Sequence, residues 1–145
     1  MRTDIATLSD WPALRRLVEK AHSENPQLPL HAMLHTGRRA VASGEVLYVE
    51  AADRTIVGYI MFEQYVLPDT HEVVLIERML YILPDHRNNG SGKALLETLE
   101  YYGRAHAMTA ILAGASLNCN EAARTMYEGL GFKTTYSFRK DLHNV

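Results

Sequence analysis

The stretch Leu80-Tyr81-Ile82-Leu83-Pro84-Asp85-His86-Arg87-Asn88-Asn89-Gly90-Ser91-Gly92-Lys93-Ala94-Leu95 concentrates the residue types that hold anions. An apolar run ends at Pro84, a basic, glycine-bearing loop follows, and helical spacing begins near Gly92. The first turn of a helix presents unpaired N–H groups and the positive end of the helix dipole, and both favour an anion. Gly90 and Gly92 permit unusual backbone angles and close approach to a ligand, and Arg87 adds a fixed charge. Together these are the parts of a phosphate or pyrophosphate cradle. Two nucleotide patterns fit poorly. The G-x-x-x-x-G-K-[ST] loop has its Gly92-Lys93, but Arg87 stands at the first glycine and Ala94 at the magnesium-binding hydroxyl. The G-x-G-x-x-G pattern fails at Leu95. Taken alone, the Gly-Ser-Gly pair would serve equally as a surface turn.

The rest of the chain must position this loop. Its 145 residues suit one domain, expected to span 1–145. Hydrophobic residues make up 47% and charged residues 22%, values that exclude disorder. Fifteen basic against seventeen acidic side chains leave a net charge of −2, the wrong balance for a phosphate-backbone binder. A single cysteine, Cys119, cannot form an internal disulfide. No basic-then-apolar leader follows Met1, and no apolar run approaches the ~20 residues of a membrane helix. The expectation is a cytoplasmic, reducing-compartment protein with neither nucleic-acid nor membrane partners.

Hydrophobic periodicity predicts ten elements. Arg2–Thr7 reads as an edge strand. Asp10 and Pro12 signal a helix start, and Leu14, Leu17, Val18 and Ala21 form its apolar stripe. Asn25-Pro26 and Pro29 break that helix, and a second is expected from about Leu30 to Ala42. Val46–Ala51 and Ile56–Val66 read as a hairpin, and Val73–Leu83 as a longer strand interrupted by Glu77-Arg78. A helix from Gly92 would share one face among Leu95, Leu96, Leu99, Tyr102 and His106. Thr109–Ala115 is expected as a buried strand, Glu121–Leu130 as a helix stopped by glycine, and Phe132–Leu142 as a closing strand. The order predicts an α/β (α+β) layered domain.

Arg87-Asn88-Asn89-Gly90-Ser91-Gly92 has the form R-x-x-G-x-G. Asn120-Glu-Ala-Ala-Arg-Thr-Met-Tyr127-Glu-Gly-Leu-Gly131-Phe132 has the form N-x-x-A-x-x-x-Y-E-x-x-G-F. The two in this order resemble the signatures of the GNAT superfamily of N-acetyltransferases, from about Val73 to the C-terminus. The resemblance implies acetyl-CoA as co-substrate, no metal, and a central mixed, twisted sheet of six to seven strands. About four helices would cover its faces, and the sheet would be splayed at the acetyl-CoA site. It implies that pantetheine pairs with the strand at Leu80 and Ile82, with Tyr81 between them. The pyrophosphate would lie on the amides of Arg87, Asn88, Asn89, Gly90, Ser91, Gly92 and Lys93. Asn120 and Tyr127 would approach the pantetheine and thioester from the last helix. The partner is an amine-bearing acceptor, a small molecule or a protein amine, and homodimers are common among such proteins.

Acetyl transfer to an amine requires a neutral nucleophile, a donor for the oxyanion and a proton for the departing thiolate. A strand N–H near Leu80 suits the oxyanion. Tyr127 is the candidate general acid, its alternative being a packed aromatic. Glu77, interrupting an otherwise apolar strand just before the bulge that the resemblance implies there, is the candidate base. Its alternatives are an ion pair with Arg78 or a neighbouring charge, or a base replaced by ordered water. Glu72 and His71 are weaker candidates. Asp69, Glu72 and Glu77 would favour a cationic amine such as a polyamine, an aminoglycoside or a protein N-terminus. Two other readings stay open: a different acyl-CoA acyltransferase, and a non-catalytic acyl-CoA-binding module. His31 and His35 have the i, i+4 spacing of a zinc pair, but Ala32 replaces the glutamate of H-E-x-x-H, so a substrate-facing or solvated pair fits better.

Overall fold

The computed structural model describes residues 1–113, 121–135 and 140–142. Among them lie five strands and four α-helices: β1 (Arg2–Ile5), α1 (Trp11–Glu24), α2 (Leu30–Ala42), β2 (Val46–Glu50), β3 (Ile56–Val66), β4 (Val73–Ile82), α3 (Ser91–Ala105), β5 (Ile111–Leu112) and α4 (Glu121–Gly129). The strands form one sheet in the order β1-β2-β3-β4-β5. The first four are antiparallel, and β5 joins β4 in parallel through Leu75 with Ile111 and Ile76 with Leu112. The mixed, helix-covered sheet matches the expected class.

The strand count falls short of the six to seven expected. Thr109 and Ala110 are not in a strand, β5 being only Ile111–Leu112; residues 132–135 also carry no strand. The remainder of the expected closing strand lies partly outside the described residues. Elsewhere the predicted spans hold closely, because proline and glycine punctuate them. Pro29 and Gly44 bracket α2, and the turn 52–55 joins β2 to β3.

Helices lie on both faces of the sheet. Leu14, Leu17, Val18 and Ala21 of α1 pack with Val41, Val46, Tyr48, Tyr59, Met61 and Tyr81. Leu95, Leu96 and Leu99 of α3 pack on the other face with Leu47, Val49, Ile60, Phe62, Leu75 and Ile82. The central strands β2 and the first part of β3 therefore bury both their odd and their even side chains, so β2 reads as a near-continuous apolar run. His106, expected on the buried face of α3, is exposed and stacks on Tyr102 at 4.1 Å between ring centroids.

One irregularity governs the centre of the sheet. Met61 pairs with Met79, yet the next residue, Phe62, pairs with Glu77, so Arg78 is an extra residue in β4. An inserted residue reverses the in–out alternation beyond it. Leu75 and Glu77 therefore share the α3 face with Leu80 and Ile82, while Met79 and Tyr81 turn to the α1 face. Without the bulge, all the odd positions of β4 would lie on one side.

Gly58 lies opposite Ile82 at the end of this strand. A Cβ there would overlap Ile82 Cδ1 and stand 2.9 Å from the Tyr81 carbonyl oxygen. A strand glycine changed to alanine ordinarily gains about 0.5–1 kcal/mol of backbone entropy. Here the opposing atom is main chain and cannot swing aside, so overpacking wins. Gly58→Ala is expected to lose about 1–3 kcal/mol in urea unfolding.

Candidate functional site

Helix α3 begins where the glycine-bearing loop requires left-handed backbone. Asn88 has φ +63° and Gly90 φ +90°. Asn is among the residues that tolerate this region, and glycine has no Cβ to oppose it. The Asn89 side chain accepts from the Ser91 amide at 3.2 Å and from the Ser91 hydroxyl at 2.7 Å, which pins the first turn. Ser91 is buried. Gly92 has a different role from the one expected of it: its φ is not positive, and its missing Cβ makes room for Met126, whose sulfur would stand 3.2 Å away. Lys93 is exposed and lies 3.7 Å from Glu97 in the next turn. The loop therefore combines a helix N-terminus, two left-handed residues and a lysine in one short segment.

Beside it opens a cleft of about 790 Å³. One wall is the end of α1 and the segment after it, with Glu24, Asn25, Gln27 and Leu28. The floor is Glu77, Met79, Leu80, Tyr81 and Ile82 of β4, and the far wall is Arg87, Asn88, Gly90, Gly92 and Lys93 with Ala122, Ala123, Met126 and Tyr127 of α4. The cleft thus gathers Glu77, Leu80, Tyr81, Ile82, the loop and Tyr127, which span fifty residues of sequence. Asn120 and Cys119 lie outside the described residues. Asp69 and Glu72 are exposed and do not line the cleft, and His31 and His35 are exposed on α2. Among the described residues no group of three His, Cys, Asp or Glu side chains could hold a metal ion, and no helix is long and apolar enough to cross a membrane.

Glu77 is 1% exposed, and the Tyr127 hydroxyl donates to its Oε1 at 3.2 Å. A buried carboxylate must be hydrogen-bonded to remain in the core. The alternative of an ion pair between Glu77 and Arg78 gives way to one between Arg78 and Glu63 on β3, since the bulge turns Arg78 to the exposed side. Tyr127 is held from behind by the ring of Phe132, edge-on at 5.4 Å. Gly131, at φ +89°, lets the chain reverse after α4 and return Phe132 to that position, where its amide bonds the Tyr127 carbonyl at 3.1 Å. This accounts physically for the spacing Y-E-x-x-G-F.

Arg87 departs most from the sequence reading. Its Nε donates to the Ile82 carbonyl at 2.8 Å, and its Nη2 pairs with Glu24 Oε1 at 2.8 Å. The guanidinium lies 5.5 Å over the Tyr81 ring. The Tyr81 hydroxyl donates to the second oxygen of Glu24. Glu24, the last residue of α1, is thus a member of the site that sequence reasoning missed. It lies 63 residues from Arg87, and no local pattern distinguishes it from other helix-surface glutamates. Burial pushes the Tyr81 phenol up, and the neighbouring Glu24 carboxylate pushes it further. Partial burial would raise the Glu24 carboxyl, but hydrogen bonds from Tyr81 and Arg87, with the charges of Arg87 and Lys20, hold it below the usual range.

The profile described as the Acetyltransferase (GNAT) family matches residues 11–132. An aminoglycoside N(6')-acetyltransferase type 1 of Acinetobacter baumannii is 27% identical over 128 residues, covering 88% of this chain and 86% of that protein. Among solved structures, a ribosomal-protein-alanine N-acetyltransferase from Brucella melitensis biovar Abortus superposes with a TM-score of 0.75 at 18% identity, covering 97% and 99% of the two chains. An aminoglycoside antibiotic 6'-N-acetyltransferase from Acinetobacter baumannii superposes with a TM-score of 0.75 at 17% identity, covering 99% and 98%. At such identities these structures establish a shared fold.

The depressed Glu24 carboxyl carries a pH signature. A group whose folded pKa is lowered stabilises above its unfolded value, ordinarily 4.5, and that contribution is lost as pH falls through the folded value. Thermal melts of wild type and Glu24→Gln should differ most at neutral pH, with wild type the more stable. The gap should close progressively below about pH 4.5, where the carboxylate takes up its proton.

Proposed function

The chain belongs to the acetyltransferase (GNAT) family, and on that footing we propose that it transfers acetyl from acetyl-CoA to a primary amine by direct attack in a ternary complex. The observation carrying this reading is the hydrogen bond between Tyr127 and buried Glu77, at the floor of a cleft flanked by the anion-suited loop.

In this reading the diphosphate lies on the amides from Arg87 to Lys93, where the dipole of α3 and Lys93 favour negative charge. Pantetheine runs along β4 at Leu80 and Ile82. The Ile82 carbonyl already accepts from Arg87 Nε, which leaves its second lone pair for a ligand amide. The thioester then falls between β4 and α4. An entering ammonium, with a pKa near 10.4 for a lysine-like amine, must first lose a proton. Glu77 receives the amine proton, directly or through water. The nitrogen lone pair attacks the thioester carbonyl carbon, and a β4 amide near Leu80 stabilises the oxyanion. As the C–S bond breaks, Tyr127 protonates the thiolate, and Glu77 returns a proton to Tyr127 along their hydrogen bond. The nitrogen loses two protons in all: one passes through Glu77 and Tyr127 to the CoA thiol, and the other leaves to solvent as the tetrahedral intermediate collapses to the amide.

The acceptor is a cationic amine. Glu24 and Glu77 are the acidic side chains among those lining the cleft, and a positively charged amine suits both. The relatives named as aminoglycoside acetyltransferases make aminoglycosides the first acceptors to try.

CoA titrated calorimetrically into the folded protein is expected to give saturable binding, and mass spectrometry of kanamycin and spermidine incubated with acetyl-CoA should find acetylated amine. No heat with CoA would overturn the reading. Tyr127→Phe should lower kcat by about 10²–10⁴ with CoA affinity retained. Glu77→Gln should abolish the acid limb of the pH–rate profile. Unchanged turnover in both variants would remove these residues from the chemistry.

A further inference from the structure

The Glu24–Arg87 pair joins two parts of the cleft with different duties. Glu24 ends α1 and stands in the wall with Asn25, Gln27 and Leu28, while Arg87 begins the loop that leads into α3. The carboxylate is divided between two partners: Oε1 on Arg87 and Oε2 on the Tyr81 hydroxyl. The guanidinium is divided too, with Nε anchored on the Ile82 carbonyl and Nη2 on Glu24. Each group therefore has one firm attachment to β4 and one attachment to the other.

The shared attachment is the weak one. The Arg87 and Glu24 side chains are 43% and 38% exposed, and breaking an ion pair so solvated changes an equilibrium by at most about fivefold. A diphosphate offers the guanidinium a higher negative charge and better fork geometry than one carboxylate oxygen. Exchange of partners at Nη2 is therefore inexpensive. It would leave Glu24 Oε1 open to the cleft, with Oε2 still fixed by Tyr81. An oriented carboxylate in that position is a site for an ammonium.

Resting on the reading that the loop holds a CoA diphosphate, we infer that Glu24 is a shared carboxylate coupling the two substrates. The diphosphate takes Arg87 from Glu24, and the released Glu24 receives the cationic acceptor. Donor and acceptor then bind with positive coupling, and linkage requires each to tighten the other by the same factor, up to about fivefold for a contact this exposed.

The sign of one measurement separates this from a purely supporting role. If Glu24 competes with the diphosphate, Glu24→Gln binds CoA more tightly, by about two- to fivefold, because Arg87 no longer has a charged rival. Pantetheine, which lacks the diphosphate, binds wild type and variant alike. Glu24→Ala, which also removes the Tyr81 bond, shifts CoA affinity in the same direction. Weaker or unchanged CoA binding in both variants, each still unfolding cooperatively, overturns the proposal. Failure of wild type to bind CoA would instead overturn the functional reading beneath it. A second titration follows kanamycin, or spermidine if it is acetylated faster, with and without CoA. CoA should raise its affinity about two- to fivefold in wild type and have no effect in Glu24→Gln. Equal coupling in the two proteins also overturns the proposal.

Discussion

The extra residue at Arg78 is the constraint on which the site depends. A strand with strict alternation would put Glu77, Met79 and Tyr81 on one side of the sheet. The bulge sends Glu77 toward α3 and α4, where Tyr127 meets it, and Tyr81 toward α1, where Glu24 meets it. One strand can then present a carboxylate on one face and a phenol on the other, with Leu80 and Ile82 sharing the face of Glu77. Bulges disrupt a ladder and are kept where they re-aim side chains. The surroundings here restore what the ladder loses: the sheet is packed from both faces, and Arg78 finds Glu63 on the neighbouring strand.

Around that strand, the two ends of the cleft are built by different means. The end near α4 is closed by burial. Glu77 is inside the core, and its tyrosine is wedged by Phe132 after a glycine reversal, so the pair has little freedom. The end near α1 is joined by charge, with a half-exposed ion pair over an aromatic ring. Burial makes a hydrogen bond strong and its loss expensive, while solvation makes an ion pair easy to exchange. The first arrangement suits proton transfer between fixed atoms. The second suits a contact that changes partners as ligands arrive.

The loop before α3 lies between these ends. Left-handed residues, an asparagine fastening the first turn and a buried serine hold its amides in place by local geometry alone. Glycine contributes twice and differently there. Gly90 supplies a backbone angle that other residues resist, and Gly92 supplies the space into which Met126 of α4 fits. The loop and the Tyr127 helix are thus packed directly on one another, which links the two signatures of the family in space.

Much of this was legible in the chain itself. The helix spans and the first four strands follow from periodicity and from prolines and glycines acting on neighbouring residues, whereas the strand expected at Thr109–Ala115 shrinks to Ile111–Leu112 and residues 132–135 form none. The anion-suited loop and the Tyr127 segment were legible because their residues are close in sequence and their spacing reflects local backbone geometry. Glu77 was conspicuous as a charge inside an apolar run. What only the tertiary structure decided are relations between distant elements: that Arg78 is the bulged residue and pairs with Glu63, that Tyr127 reaches Glu77, and that Arg87 turns to Glu24. The reason is physical. Periodicity records which side of an element is buried, but a one-residue insertion in a strand reverses that side without changing composition. A partner 63 residues away is chosen by packing, which no local pattern encodes.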